Sequence, residues 1–375
     1  MKLKKIFKSS HILSLLLALT FTIDAQAQAG KSYSTVKLYG PHQAAVEMAS
    51  FKIDSMMEAQ NIPGVQIAVM KKGQTIWSDG FGFSDLEESV PMDTEAKLRI
   101  GSVSKTMTSA ALGVLHEAGR LNLDAPVQKY VPYFPEKKYT ITIRQVAGHL
   151  AGIRHYRGEE FLSSRHYETV REGLDIFKDD TLLFEPGTDY NYSTYGWNLV
   201  SAVVEGASGS SFLTYMRKNV FQPLGMYSTT AEFMRQIIED RTDYYVVNDS
   251  GRVENAPYVD NSYKWAGGGF LSTAEDLLLF GDAFLGNDYL QRDTIHMLWK
   301  SQETRDGEPT NYGIGWSSGS DDENRKWYGH SGGSVGGSTQ FVVFPDQELV
   351  LAVVANLSGV DYGELHLDIA DLFMR

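Results

Sequence analysis

The sequence predicts an α/β (α+β) fold, with one sheet assembled from both ends of the chain and a mainly helical domain inserted between them. Two observations carry this expectation. Strand-like segments sit near the two ends, around residues 65–83 and 340–355, while helical spacing of apolar residues dominates the stretch between. The composition, 42% hydrophobic and 22% charged over 375 residues, is enough for a sizeable core.

The elements follow in order. Residues 28–42 are polar and read as a loose lead-in. Ala44 to Met57 has helical spacing, and Asn61-Ile62-Pro63-Gly64 breaks it. Val65 to Met70 is rich in β-formers, Lys72-Gly73 is a turn, and Thr75 to Phe83 continues as strand, so the pair forms a hairpin. A helix starts at Ser102, runs through Met107, Ala110, Ala111, Val114 and Leu115, and stops at Gly119. Further helices are expected at Tyr195–Glu205 and Ala274–Phe284. Strands return at Gln340–Phe344 and Leu349–Ala355, split by Pro345-Asp346, and a last helix spans Gly363–Phe373. The expected division is a domain over 44–373, its α/β part about 44–100 and 305–373 and its helical part about 101–304, after a lead-in at 28–43.

The first 27 residues differ in kind. Lys2, Lys4, Lys5 and Lys8 form a basic start, Ile12 to Ile23 is an apolar run, and Ala25-Gln26-Ala27 is an A-x-A pattern. This is the pattern of a secretory signal peptide, 1–27, with cleavage after Ala27 or Ala29. The run is too short for a membrane span, which needs ~20 apolar residues. The expectation is an exported protein, periplasmic or secreted, with no stable span after cleavage. Its removal takes the formal charge from −13 to −16. A chain this acidic is not expected to bind nucleic acid, whose backbone recruits cationic surfaces. The absence of cysteine rules out disulfides, a thiol nucleophile and thiolate metal sites.

Three segments carry candidate chemistry. The first is Ser102-Val103-Ser104-Lys105. Residues i and i+3 share a helix face, so Ser102 and Lys105 become neighbours at a helix start. A serine hydroxyl needs a base to take its proton, and a lysine serves only if burial or nearby cations lower its pKa. Backbone N–H groups at the helix N-terminus suit an oxyanion. The second is Tyr192-Ser193-Thr194 in a Pro/Gly-opened loop, where a phenol near a cationic lysine could ionise and shuttle protons. The third is Gly329-His330-Ser331-Gly332-Gly333. As G-x-S-x-G it would be a nucleophile elbow at Ser331, but no acid–histidine arrangement follows and a strand comes next. The favoured reading is a strand edge of small residues, with His330 flanking the site and a backbone N–H near Gly333 as oxyanion donor.

These pieces, in this order, resemble the serine β-lactamase and penicillin-binding protein superfamily on its class C and D-peptidase side. Ser102-Val103-Ser104-Lys105 is similar to its S-x-x-K, Tyr192-Ser193-Thr194 to its Y-x-N, and His330-Ser331-Gly332 to its K-T-G or H-x-G. Leu123–Val127, Pro223–Met226 and Ala266–Thr273 also look like recurrent family segments, and the resemblance covers roughly 45–373. Gly152–Tyr156 and Pro257–Gly269 narrow it to the mitochondrial serine β-lactamase-like subfamily.

The resemblance implies an antiparallel sheet flanked by helices, a helical domain, and a site in the cleft between them. It implies an acyl-enzyme on Ser102, with Lys105, Tyr192 and His330 as catalytic partners. Oxyanion and substrate contacts fall to Ser102, Thr194, Ser331, Gly332 and Gly333. Neither metal nor organic cofactor is implied. Thr194 stands for the family's Asn, and His330 replaces Lys by a group titrating near neutrality. Both departures point away from β-lactams, toward a small peptide or amide substrate. An esterase, or a non-catalytic binding or assembly protein on the same fold, are the alternatives. His155, Glu159, Glu160 and His166 match no standard metal-ligand spacing, and the glycine stretches lack the context of a phosphate loop.

Overall fold

Two apolar strands from opposite ends of the chain pair in the middle of the main sheet, with Val65 opposite Ala355 and Lys71 opposite Leu349. The computed structural model describes residues 39–375. The signal-peptide segment 1–27 and most of the lead-in 28–43 lie outside the described residues. The strands are β1 (Gly64–Lys71), β2 (Gln74–Asp85), β3 (Val90–Pro91), β4 (Leu98–Arg99), β5 (Thr230–Ala231), β6 (Tyr245–Val247), β7 (Val253–Asn255), β8 (Phe270–Ser272), β9 (Ser317–Ser320), β10 (Lys326–Ser334), β11 (Gly337–Phe344) and β12 (Leu349–Ala355). The helices are α1 (Gln43–Gln60), α2 (Ser104–Glu117), α3 (Ile143–Ala147), α4 (Val170–Leu174), α5 (Thr194–Ser208), α6 (Phe212–Met216), α7 (Trp265–Gly268), α8 (Ala274–Asp282), α9 (Arg292–Trp299) and α10 (Leu365–Met374).

The main sheet has the order β3-β2-β1-β12-β11-β10-β9, every pairing antiparallel. Alternation along its central strands supplies two cores at once. Val65, Ile67 and Val69 of β1, with Leu349, Leu351, Val353 and Ala355 of β12, face a core shared with Val46, Ile53, Ile369 and Phe373 of α1 and α10. Ala68, Met70, Val350, Ala352 and Val354 face the larger core with α2 and α8. The hairpin turn at Lys72-Gly73 holds positive φ at both residues, 52° and 71°, as a tight two-residue connection requires.

Among their regular elements, residues 101–304 hold mostly helices, with a few short strands. They contribute β5 and β8, which join β4 as a small sheet, and the β6–β7 hairpin. Helix α8 lies inside that stretch yet packs on β1 and β12. Gly281 makes this close approach possible, because a Cβ there would sit 2.4 Å from Val350 Cγ1. The amide side chain of Gln66 ties the same region together. It is fully buried, donates to the carbonyls of Asp93 and Ala96, and accepts from the N–H of Ala274 at the start of α8.

Candidate active site

Ser102 sits in a single 3-10 turn, Gly101–Val103, that leads directly into α2. This turn presses against β10. A Cβ on Gly101, whose φ is +50°, would lie 2.7 Å from the backbone N and O of Gly333, and one on Gly332 would lie 2.0 Å from the carbonyl of Ile100. Two glycines thus let the start of α2 touch the strand edge, which puts Ser102 beside Gly333. Both line a cleft of about 620 Å³.

Lys105 is one turn on and has no exposed surface. Its Nζ lies 2.9 Å from Ser102 Oγ, 2.6 Å from the Gly267 carbonyl and 3.4 Å from Thr194 Oγ1. Burial, reinforced by the charge of Lys264, holds its pKa well below the ordinary lysine value. The amine donates to the Gly267 carbonyl and to the Ser102 and Thr194 hydroxyls, with no acid among its partners, and in its neutral form it has a lone pair to take the Ser102 proton.

Tyr192 closes the arrangement from the other side, its hydroxyl 2.8 Å from Ser102 Oγ. Local capping explains its placement. Ser193 is the N-cap of α5, accepting from the N–H of Gly196 while its own N–H donates to His149 Nδ1. Tyr192 is held just before the helix, its ring centroid 4.3 Å from that of His149. Burial pushes the Tyr192 phenol upward, so the expected ionised phenol is not what the structure presents. Tyr192 is a protonated donor aimed at Ser102.

His330 also departs from expectation. It is 5% exposed and accepts at Nε2 from the Tyr312 hydroxyl, 2.9 Å away, with Nδ1 2.6 Å from the Ser331 carbonyl. That pairing fits the neutral ring with its proton on Nδ1. Burial and the nearby Lys105 charge, opposed by the Ser331 contact, lower its pKa to about 3. It is therefore uncharged at neutral pH rather than a titrating cation. Ser331 and Gly333 line the cleft, whereas Gly332 is buried against Ile100 and is not part of the lining. Thr194 lines it too and reaches Lys105.

The sequence reading gave no site role to Lys264, Tyr156, Tyr312 or His155, which also line the cleft. Tyr156 and Lys264 fall in segments already notable for their resemblance, but nothing in a linear sequence shows which aromatic or lysine faces a cleft. His155 Nδ1 accepts from the Thr194 N–H. Glu160 pairs with Arg154 at 2.7 Å and His166 with Asp260 at 2.9 Å.

Below the cleft lies a buried ion pair. Arg99 and Glu232 approach to 2.8 Å with side chains 3% and 1% exposed. Arg99 also donates to the Val335 carbonyl in the β10–β11 turn and lies 3.8 Å from the centroid of the Tyr244 ring. Asn261 donates to Glu232. This pair links the chain just before Ser102 to the strand turn just after Gly333.

Comparison with known proteins gives the family and the fold. The family model described as Beta-lactamase matches residues 52–372. The human serine beta-lactamase-like protein LACTB, mitochondrial, is 32% identical, the match covering 87% of this chain and 79% of that protein. Penicillin-binding protein 4* of Bacillus subtilis (strain 168) is 26% identical over 81% of this chain and 70% of its own length. Among solved structures, the octameric penicillin-binding protein homologue from Pyrococcus abyssi superposes with a TM-score of 0.77 at 25% identity, covering 88% of this chain and 77% of that one.

Proposed function

The chain belongs to the beta-lactamase family, and from that premise we propose that it is an exported serine hydrolase that forms an acyl-enzyme on Ser102 and cleaves peptide or amide substrates. One observation carries the reading: Ser102 Oγ lies between the buried Lys105 amine, whose pKa is lowered, and the Tyr192 phenol, whose pKa is raised, at 2.9 and 2.8 Å.

The steps follow from those two states. As Ser102 Oγ attacks the carbonyl, its proton passes to the Lys105 lone pair. The N–H groups of Ser102 and Gly333 face the developing oxyanion. Tyr192 gives its phenol proton to the departing nitrogen and recovers one from the Lys105 ammonium, which returns to the neutral amine. Water then attacks the acyl ester by the same route in reverse and releases the acid. An amine leaving group needs that proton, and a site built to deliver one suits amides. The replacement of Asn by Thr194 and of a lysine cation by neutral His330 supports weak or absent β-lactam turnover.

A panel of nitrocefin, p-nitrophenyl esters and D-amino-acid peptides tests the reading, together with fluorophosphonate labelling. Peptide or amide turnover and labelling are expected in the native protein, and both vanish in Ser102→Ala. Labelling that persists in Ser102→Ala overturns the assignment. Turnover of esters alone points to an esterase, and a folded protein inert to the whole panel points to a binding or assembly role.

A further inference from the structure

We infer that Lys264 is the anion-recognising residue of this cleft and that the preferred substrate carries a carboxylate seated against its amine. The inference rests on the reading of the cleft around Ser102 as the substrate site. Lys264 is 2% exposed yet lines that cleft. It ends the short turn Asn261–Lys264, three residues before the Gly267 carbonyl that holds Lys105, so one stretch of backbone sets both amines.

Its surroundings are aromatic. The Nζ lies 4.5 Å from the centroid of Phe161, 5.3 Å from Tyr263 and 5.5 Å from Tyr156. These ring faces tolerate a cation but do not neutralise it. Among the described residues no acid pairs with Lys264, and no Asp or Glu lines the cleft. Glu232 is the one acid whose charge reaches it, and that carboxylate is already taken by Arg99 and Asn261. The other charged or titratable neighbours are Lys105, Arg99 and His155. With no acid on its lining, the cleft leaves Lys264 as the group able to present positive charge to a ligand, in a chain of net charge −13. A small positive site with low-dielectric walls draws anions in spite of the overall charge.

His330 cannot play this part, since it is neutral and both ring nitrogens are occupied by Tyr312 and Ser331. Lys264 is free to do so. Burial, with the Arg99 charge adding to it and Glu232 opposing, lowers its pKa to about 7. A bound carboxylate supplies the counter-charge that the aromatic wall lacks and returns the amine to its cationic form.

The test compares paired ligands that differ only in a carboxylate or its methyl amide, placed on the acyl or on the leaving side. In the native protein kcat/KM should favour the carboxylate of one such pair by about tenfold or more, the worth of a charged hydrogen bond. Lys264→Met should bring that ratio close to one, and Lys264→Arg should restore most of it. A merely structural role would lower both members together and leave the ratio unchanged, and that result overturns the inference. Calorimetric Kd values for the same pair on Ser102→Ala protein, with and without Lys264→Met, read the preference without turnover. Equal ratios in those two proteins, or no preference in the native cleft, also overturn it. Turnover that survives in Ser102→Ala would instead sink the nucleophile assignment, while the Kd comparison still reports on Lys264.

Discussion

Lys105 Nζ lies 2.9 Å from Ser102 Oγ while its two remaining partners are a backbone carbonyl and a threonine hydroxyl, with no acid among them. A buried amine with no counter-charge sheds its proton more readily than an exposed one, and this separates a base from an ordinary helical lysine.

The first prediction concerns pH. Lys105 must be neutral to accept the Ser102 proton, so kcat/KM should rise with pH through its lowered pKa and then level off. The acidic limb should therefore lie well below the ordinary lysine value of 10.5. Lys105→Arg, which stays cationic, should cost about 10²–10⁴-fold in kcat/KM and remove that limb. A limb near the ordinary lysine value would show that the amine is not the base.

Tyr192 is expected to matter according to the leaving group. Tyr192→Phe keeps the ring against His149, 4.3 Å centroid to centroid, and loses only the hydroxyl. Amide hydrolysis should fall by about 10²-fold or more, since general-acid assistance has that size. A p-nitrophenyl ester, whose leaving group departs unprotonated, should lose far less. Equal losses on both substrates would assign Tyr192 to positioning alone.

Two adjacent glycines should behave oppositely. A Cβ on Gly332 meets the Ile100 carbonyl at 2.0 Å, so Gly332→Ala must push the Ser102 turn away from β10. It should destabilise by about 1–3 kcal/mol, the range of overpacking in a well-packed site. A methyl group on Gly333 would meet nothing within 4 Å, and the φ of that residue is not positive. Gly333→Ala should therefore match the native protein in unfolding free energy to within about 0.5 kcal/mol. Denaturant midpoints for the two variants measure the contrast.

The Arg99–Glu232 pair should be costly to break from one side. Glu232→Gln leaves a guanidinium that is 3% exposed without its charge partner, and losses of about 3–5 kcal/mol follow from such a step. Replacing both residues by apolar ones of similar size should cost less than Glu232→Gln alone. Urea unfolding of the single and double variants decides it.

Export is checked at the N-terminus. If the segment 1–27 is a signal peptide, protein recovered from outside the cytoplasm should begin at Gln28 or Gly30 by N-terminal sequencing. An intact Met1 on exported material would remove that assignment.

Much of the frame was legible because it rests on local rules. Runs of β-formers and turn chemistry marked β1, β2, β11 and β12, and i, i+3 spacing put Ser102 and Lys105 on one face. Strands β4, β5 and β8 were not legible, since two- and three-residue strands carry no periodicity. Helix α8 was read as a helix, but which layer it joins depends on Gly281 meeting Val350, a contact between residues 69 positions apart.

The site divides along the same line. The sequence by itself determined the nucleophile candidate, its lysine, and the order in which Tyr192 and His330 follow, because these are matters of spacing and residue type. Only the tertiary structure decided how readily each group gives or takes a proton. Burial without a counter-charge lowers the pKa of Lys105, raises that of Tyr192 and takes the charge from His330, and it leaves Lys264 lining the cleft with no acid paired to it. Desolvation depends on everything packed around a group, and that neighbourhood is assembled from segments as distant as Ser102 and His330.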